Sequence, residues 1–557
     1  MLKSWKSLYL FLSVALLTGI SSCSKKSQNA PVTTKNIKAA QQLFGLHFTQ
    51  SERDSMIGNL KQNLSAYKAL QALHLNDSVT PALVFNPIPA GKEFNHKQYP
   101  LRWNKPKHVT IPEDSSKMAF YSISQLAYLL HTRQITSLEL TKFYLHRLKK
   151  YGDTLHCVIT ITKKLALEEA KKADEAIAAG HYKGPLMGIP FGVKDLMAVK
   201  GYQTTWGAGP YKHQKINTTA TVVKRLQNDG AVLIAKLTSG ALAMGDVWFG
   251  GKTRNPWDLH QGSSGSSAGP ASATSAGLVA FSLGTETWGS ILAPSTRCGD
   301  TGLRPTFGRV SKYGVMALSW SMDKVGPICR DVQDCAIVFH VINGPDGKDR
   351  SVVDFPFNFN AHEKLSNIRI GYLKNLFNKK SDPNYDHDER TLETLRKLGA
   401  KLIPIKLPDY PVKPLSIILD AESAAAFQTL TLSNRDSLLV RQTKNSWPNL
   451  FREANFIPAV EYIQANRARH ILINKMDSVM SKVDVYVSPT FGGNNLLLTN
   501  LTGHPAVVLP NGFNKNGHPT SISFIGGLYK DGMALEVANA YQDATDFHKK
   551  HPDMFMQ

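Results

Sequence analysis

Five cysteines in 557 residues are too few and too scattered for a disulfide scaffold. Beyond Cys23 they stand at Cys157, Cys298, Cys329 and Cys335, with no CxxC pair of the kind that holds zinc. An oxidising compartment would permit a disulfide among them, but the spacing assigns none. Past the N-terminus no segment reaches the ~20 consecutive apolar residues a membrane-spanning helix needs. Nothing repeats at solenoid spacing. Hydrophobic residues make up 42% and charged residues 19%, which excludes collagen, coiled coil and wholesale disorder. Acid is the scarcer sign: 43 Asp+Glu stand against 65 Lys+Arg, a formal net charge of +22. That excess is scattered, without a Lys/Arg run interleaved with aromatics. It reads as a basic surface and not as a nucleic-acid site. Gly250-Gly-Lys-Thr253 lacks the earlier glycine of a P-loop, because Asp246 stands there.

What is present begins with an address. Lys3 and Lys6 precede an apolar run, Leu8 to Ile20, of 13 residues. That is too short to span a bilayer and fits a signal-peptide core. It ends in Ile20-Ser21-Ser22-Cys23, which resembles a bacterial lipobox, in which cleavage precedes the cysteine and its sulfur is lipidated. The expectation is an exported protein, lipid-anchored through Cys23 to the bacterial cell envelope and facing the periplasm. Residues 1–22 are the lipoprotein signal peptide and 23–37 a polar tether. Residues 38–115 form an N-terminal helical extension with a Pro-rich tail.

Residues 116–550 read as one large α/β domain, a central mixed sheet flanked by helices on both faces. Ser122-Ile-Ser-Gln125 and Thr136-Ser-Leu-Glu139 are capping boxes that open helices. Ala166, Ala170, Ala173 and Ile177 share one helix face, which stops at Gly180. Strands are expected at Gly188–Lys194, Ala231–Ala235, Leu278–Leu283 and Ile522–Ile525, with helices at Thr219–Asp229 and Asp531–His548. The alternation argues for a layered α/β body. Residues Ser351 to Lys482 are irregular and elaborate the body or line its pocket.

The unusual stretch is Gln261-Gly-Ser-Ser-Gly-Ser-Ser-Ala-Gly-Pro-Ala-Ser-Ala-Thr-Ser-Ala-Gly277. Gly and Ser at this density suit a flexible linker. Yet the segment runs straight into an apolar strand and then a second polar turn, Gly284-Thr-Glu-Thr-Trp-Gly-Ser-Ile291. Small residues threaded into a core let backbones approach closely. A serine nucleophile also needs a base. Lys194 ends an apolar strand; buried there, its charged form is disfavoured and its pKa falls. The alternative is a strand-end lysine reaching into solvent.

Ordered pieces of the chain resemble the amidase signature family of Ser-cisSer-Lys hydrolases. They are Gly184–Asp195, Arg254-Asn-Pro-Trp-Asp258, Gly265-Ser-Ser-Ala-Gly269, Gly284–Ile291, Gly302–Val310 and Asn500–Ala506. The resemblance implies Ser290 as nucleophile, Ser266 as bridging serine on a cis peptide bond, and Lys194 as base. Ser263-Ser264 also resembles the serine motif, but the family places the bridging serine 24 residues before the nucleophile, which selects Ser266. Ser267 becomes a supporting hydrogen-bond partner. The backbone N–H groups of Thr287, Trp288, Gly289 and Ser290 resemble the oxyanion hole. The implied activity is hydrolysis of a linear carboxamide, or an ester, through an acyl-serine, with neither metal nor other cofactor.

Two departures from the family pattern stand out. Trp288 replaces a common Gly and is expected to narrow the acyl pocket. Leu292 replaces a common Arg, leaving Glu286 without its usual partner, for which Arg297 is a substitute. A competing reading takes Gly265–Gly269 as an α/β-hydrolase elbow, with Ser267 as nucleophile and His504 as base of an esterase. The residues before it, Asn255 to Gln261, are not strand-like. A non-catalytic lipid-anchored binding protein is the third reading, opposed by the intact Lys194, Ser266 and Ser290. One family branch makes amides on charged tRNA with a partner subunit; the signal segment argues for a stand-alone enzyme with a small-molecule or peptide amide substrate and no obligate partner.

Overall fold

The computed structural model describes residues 32–557. The Leu8–Ile20 run and Cys23 lie outside these residues. The chain divides near His74 into two compact units. The first holds α1 (Thr34–Leu43) and α2 (Gln50–Gln71). Thr33 caps α1 by accepting from Asn36 N–H, so a helix begins inside the stretch expected to be tether. The Thr49/Glu52 capping box opens α2.

The helical extension is shorter than 38–115. After α2 no helix forms until residue 115, because Pro81, Pro87 and Pro89 remove backbone donors. From Leu75 the chain belongs to the body. Phe85 packs edge-on against Phe307 at 5.0 Å, and the backbone of Arg102 bonds to Phe359 and Ala361. At the other end the body runs past 550: Phe555 is fully buried and its carbonyl accepts from Arg147 at 2.6 Å.

The body is built on an eleven-stranded mixed sheet. In chain order its strands are β1 (Val158–Ile161), β2 (Pro190–Lys194), β3 (Val232–Leu237), β4 (Phe281–Glu286), β5 (Thr301–Arg304), β6 (Lys324–Cys329), β7 (Ile370–Leu373), β8 (Leu402–Ile405), β9 (Val485–Pro489), β10 (Ala506–Phe513) and β11 (Pro519–Gly526). The spatial order is β1-β3-β2-β4-β6-β5-β10-β11-β9-β7-β8. β2 runs parallel to both β3 and β4, and β7 runs parallel to β8 and β9. The remaining pairs are antiparallel.

Both faces of the sheet are covered. Val485, Val487, Val507 and Leu509 join one apolar cluster, while their neighbours Tyr486, Ala506 and Val508 join another. That is the period-2 alternation of a strand with both sides dry. Helix α3 (Ile123–His131) and α4 (Ser137–Leu155) start at the two capping boxes. In α5 (Lys163–Ala178) the buried residues are Ala166, Ala170, Ala173 and Ile177. Helix α6 (Thr221–Asn228) precedes β3. Residues 351–482 are more regular than expected. They supply β7, β8 and several helices, the longest Ala459–Met480, around the second cluster.

Candidate active site

Lys194 is the last residue of β2, between two parallel neighbours, and is fully buried. Its Nζ lies 2.8 Å from Ser266 Oγ and 2.8 Å from Thr285 Oγ1 on adjacent β4. Burial drives the amine well below the usual lysine range, against the opposing pull of Asp323 and Glu286. The solvent-reaching alternative for Lys194 is thereby corrected. Thr285, its second partner, escaped sequence reading. The signal was available, since a threonine next to Glu286 on a buried strand needs a polar partner.

The serine-rich stretch is a buried, ordered segment and not a linker. The Gly265–Ser266 peptide is cis. Gly265 lies so close to the Gly245 carbonyl that a Cβ would sit 1.9 Å from its oxygen, so only glycine fits. Ser267 then leads into α7 (Ala268–Ser275), every residue of which is buried. Ser267 N–H donates to the Ser290 carbonyl at 3.1 Å, which ties the serine segment to the turn after β4. Its hydroxyl donates to Thr285 O at 3.0 Å and accepts from Thr285 N–H at 3.1 Å. Ser267 is thus committed to the backbone of β4.

The turn after β4 presents Ser290 at the surface of the site, partly exposed. Gly289 adopts a left-handed φ of 92° and meets Leu496, which a Cβ would approach to 2.9 Å. The turn is held from behind. Glu286 Oε2 accepts from Ile291 and Leu292 N–H, each at 2.9 Å, at the start of α8 (Leu292–Cys298). Glu286 Oε1 accepts from Arg304 on β5 and from Asn500 Nδ2, each at 2.9 Å. Arg304 keeps the Glu286 carboxyl below its usual range despite complete burial. The proposed substitute Arg297 instead reaches Gln261 at 3.2 Å, so that pairing is corrected. Thr287 Oγ1 donates to Asp323 Oδ1 at 2.5 Å. The Lys413 ammonium stands 4.6 Å over the ring of Trp288.

A second buried pair braces the loop after β2. Lys236 Nζ lies 2.5 Å from Asp195 Oδ1, and Asp195 Oδ2 accepts from Thr205 N–H at 2.7 Å. Charged Lys236 inside the apolar run Val232–Leu237 was the sequence signal for this brace. His504, the base of the elbow reading, is turned elsewhere. Its Nδ1 bonds Thr502 Oγ1 at 2.8 Å, and burial holds it down to about 3. Neither Ser267 nor His504 is therefore free for nucleophilic chemistry. The four described cysteines are buried and unpaired, and no metal-binding cluster occurs among the described residues.

Comparison with known proteins agrees with this geometry. The Amidase family model matches residues 139–498. A glutamyl-tRNA(Gln) amidotransferase subunit from Methylococcus capsulatus is 32% identical over 479 residues, covering 77% of this chain and 98% of that protein. Native peptide amidase from Stenotrophomonas maltophilia is 27% identical with a TM-score of 0.68, covering 77% of this chain and 98% of the other. An amidase family protein from Bacillus anthracis is 25% identical with a TM-score of 0.70, covering 79% and 93%. The chain belongs to the amidase family, and it is an enzyme that hydrolyses carboxamide bonds.

Proposed function

We propose that Ser290 attacks the amide carbonyl, with Ser266 and Lys194 relaying its proton. The observation that carries this reading is the buried Lys194 amine 2.8 Å from the hydroxyl of Ser266, whose neighbour Ser267 bonds the backbone of a partly exposed Ser290. Neutral Lys194 accepts the proton of Ser266, and Ser266 accepts that of Ser290 as the Oγ–carbon bond forms. The proton returns along the same path to the nitrogen as the C–N bond breaks. Water then cleaves the acyl-serine. Thr287, Trp288, Gly289 and Ser290 direct backbone N–H groups at the developing oxyanion, each donor worth roughly 3–4 kcal/mol.

The substrate class is a small-molecule or peptide amide taken by a stand-alone enzyme. The likeness to peptide amidase supports it. The curated relatives named as amidotransferase subunits support an obligate partner instead. The Leu8–Ile20 run and Cys23 favour the stand-alone reading, since an exported, lipid-anchored chain would not meet charged tRNA. Amide turnover by the chain purified to a single size-exclusion peak decides between them: turnover by the lone chain supports the first, and turnover only with added subunits the second.

The mechanism is tested by intact-mass detection of a fluorophosphonate adduct. One adduct is expected on the wild type, absent from Ser290→Ala and formed far more slowly in Lys194→Ala. An adduct that persists in Ser290→Ala and vanishes in Ser267→Ala would refute it.

A further inference from the structure

The arm that enters the body at Leu75 brings a carboxyl to the loop beside the nucleophile turn. Ala317 N–H donates to Asp77 Oδ2 at 2.7 Å, and the next donor, Leu318 N–H, goes to Asp323 Oδ2 at 2.7 Å. Successive backbone donors thus hold the two carboxyls side by side. Asp323 is the group that grips Thr287, three residues from Ser290. Asp77 therefore stands one residue step from the machinery of the proposed oxyanion hole.

This carboxyl is incompletely matched. Its Oδ1 is buried and has no hydrogen-bond partner, and no Lys, Arg or His pairs with it among the described residues. Buried polar atoms are normally satisfied, so a buried orphan needs an explanation. Two buried indole N–H groups nearby in the fold are orphaned as well, those of Trp320, in the same loop, and Trp206. Trp206 packs at 4.7 Å on Tyr211, a ring within the electrostatic reach of Asp77. Burial, with Asp323 adding repulsion, pushes the Asp77 carboxyl up to about 8. A bound cation would reverse that by stabilising the ionised form. Aromatic faces beside a carboxylate also suit an ammonium group.

We propose that Asp77 is a specificity residue that recognises a protonated amine on the amide substrate. This rests on the hydrolase reading above and adds the substrate class: an amide that also carries an amino group. The acceptor Oδ1 takes the ammonium N–H, and Ala317 keeps the carboxyl in place.

Steady-state kinetics on matched amides tests it, each pair differing only in one amino group replaced by hydrogen, placed on the acyl side in one pair and on the leaving side in the other. For at least one pair the wild type should favour the amine-bearing member. Asp77→Asn, which keeps the size and the Ala317 contact, should raise KM for that member about tenfold, a loss of ~1.4 kcal/mol. Its kcat and both constants for the des-amino partner should stay unchanged. Equal losses on both members, or no change on either pair, overturn the proposal. Fluorophosphonate labelling of Ser290 in Asp77→Asn at the wild-type rate confirms an intact site. Absence of labelling in the wild type itself would instead strike at the hydrolase reading.

Discussion

A lysine amine sealed at the end of a strand has two ways to lower its free energy: gain a counter-ion or shed its proton. Lys194 has no ion pair among the described residues and two hydroxyl partners, so shedding the proton wins. The unfolded chain takes up a proton at this lysine below about 10.4, whereas the folded chain resists it. The folded state therefore binds fewer protons, and wild-type stability falls as pH drops from there until the folded amine also charges. Activity should rise with pH through the depressed lysine pKa and then level. Lys194→Met removes the titrating group while filling the same space. Its melting temperature should equal or exceed the wild type's at pH 7, the difference growing as pH falls from 10 toward 7, while amide turnover drops at least a hundredfold. Scanning calorimetry across that range checks the first half. A Met variant that melts several degrees lower would mean the lysine is a structural post and not a desolvated base.

At the scale of elements, the proposed catalytic turn is a strand end, a bend and a short helix held by one buried acid. Glu286 gathers two N–H groups of the α8 start, the Arg304 fork and Asn500. Removing one member of a buried pair strands the other, a loss of about 3–5 kcal/mol. Arg304→Ala should therefore destabilise by that amount and slow Ser290 labelling, whereas Arg297→Ala should leave both near wild type; denaturant melts of the two variants distinguish them. If Arg297→Ala proves the more damaging, the turn is braced in some other way. The same contrast shows what was legible in the sequence. Capping boxes, the Ala166–Ile177 face, β2, and the Gly-Ser turns are local patterns, so residue order alone reveals them. Ser266 was chosen by a family spacing from Ser290, and Lys194 by the likeness of its strand to the family's. The partner of Glu286, the Thr285 contact and the Asp195–Lys236 brace join segments that meet only once the strands are ordered. Arg304 was in view within Gly302–Val310, but nothing in the linear order said that β5 lies two strands from β4. The extension past Gln71 was misread because a Pro-rich strap looks like a tail until the surface it covers is known.

At the scale of the whole molecule, every residue the geometry brings to the site lies between Lys194 and Asn500, and the sheet lies wholly within the 75–557 unit. On the proposed export and lipid anchoring, the basic excess and the N-terminal address would do a different job, holding the enzyme at an anionic envelope surface. A lipid chain with a basic protein behind it is a two-signal anchor, stronger than either alone. Expressed in a bacterial host, the full chain should sediment with membranes and need detergent for release. Cys23→Ala should lose that behaviour. A chain beginning at Leu75 should be recovered in the soluble fraction and label with fluorophosphonate at the full-length rate, because its core and site are complete. Soluble full-length protein in the cytosol would remove the export proposal and return weight to a partner-dependent enzyme. A Leu75–Gln557 chain that fails to label would show instead that the first unit, and not the body alone, shapes the catalytic turn.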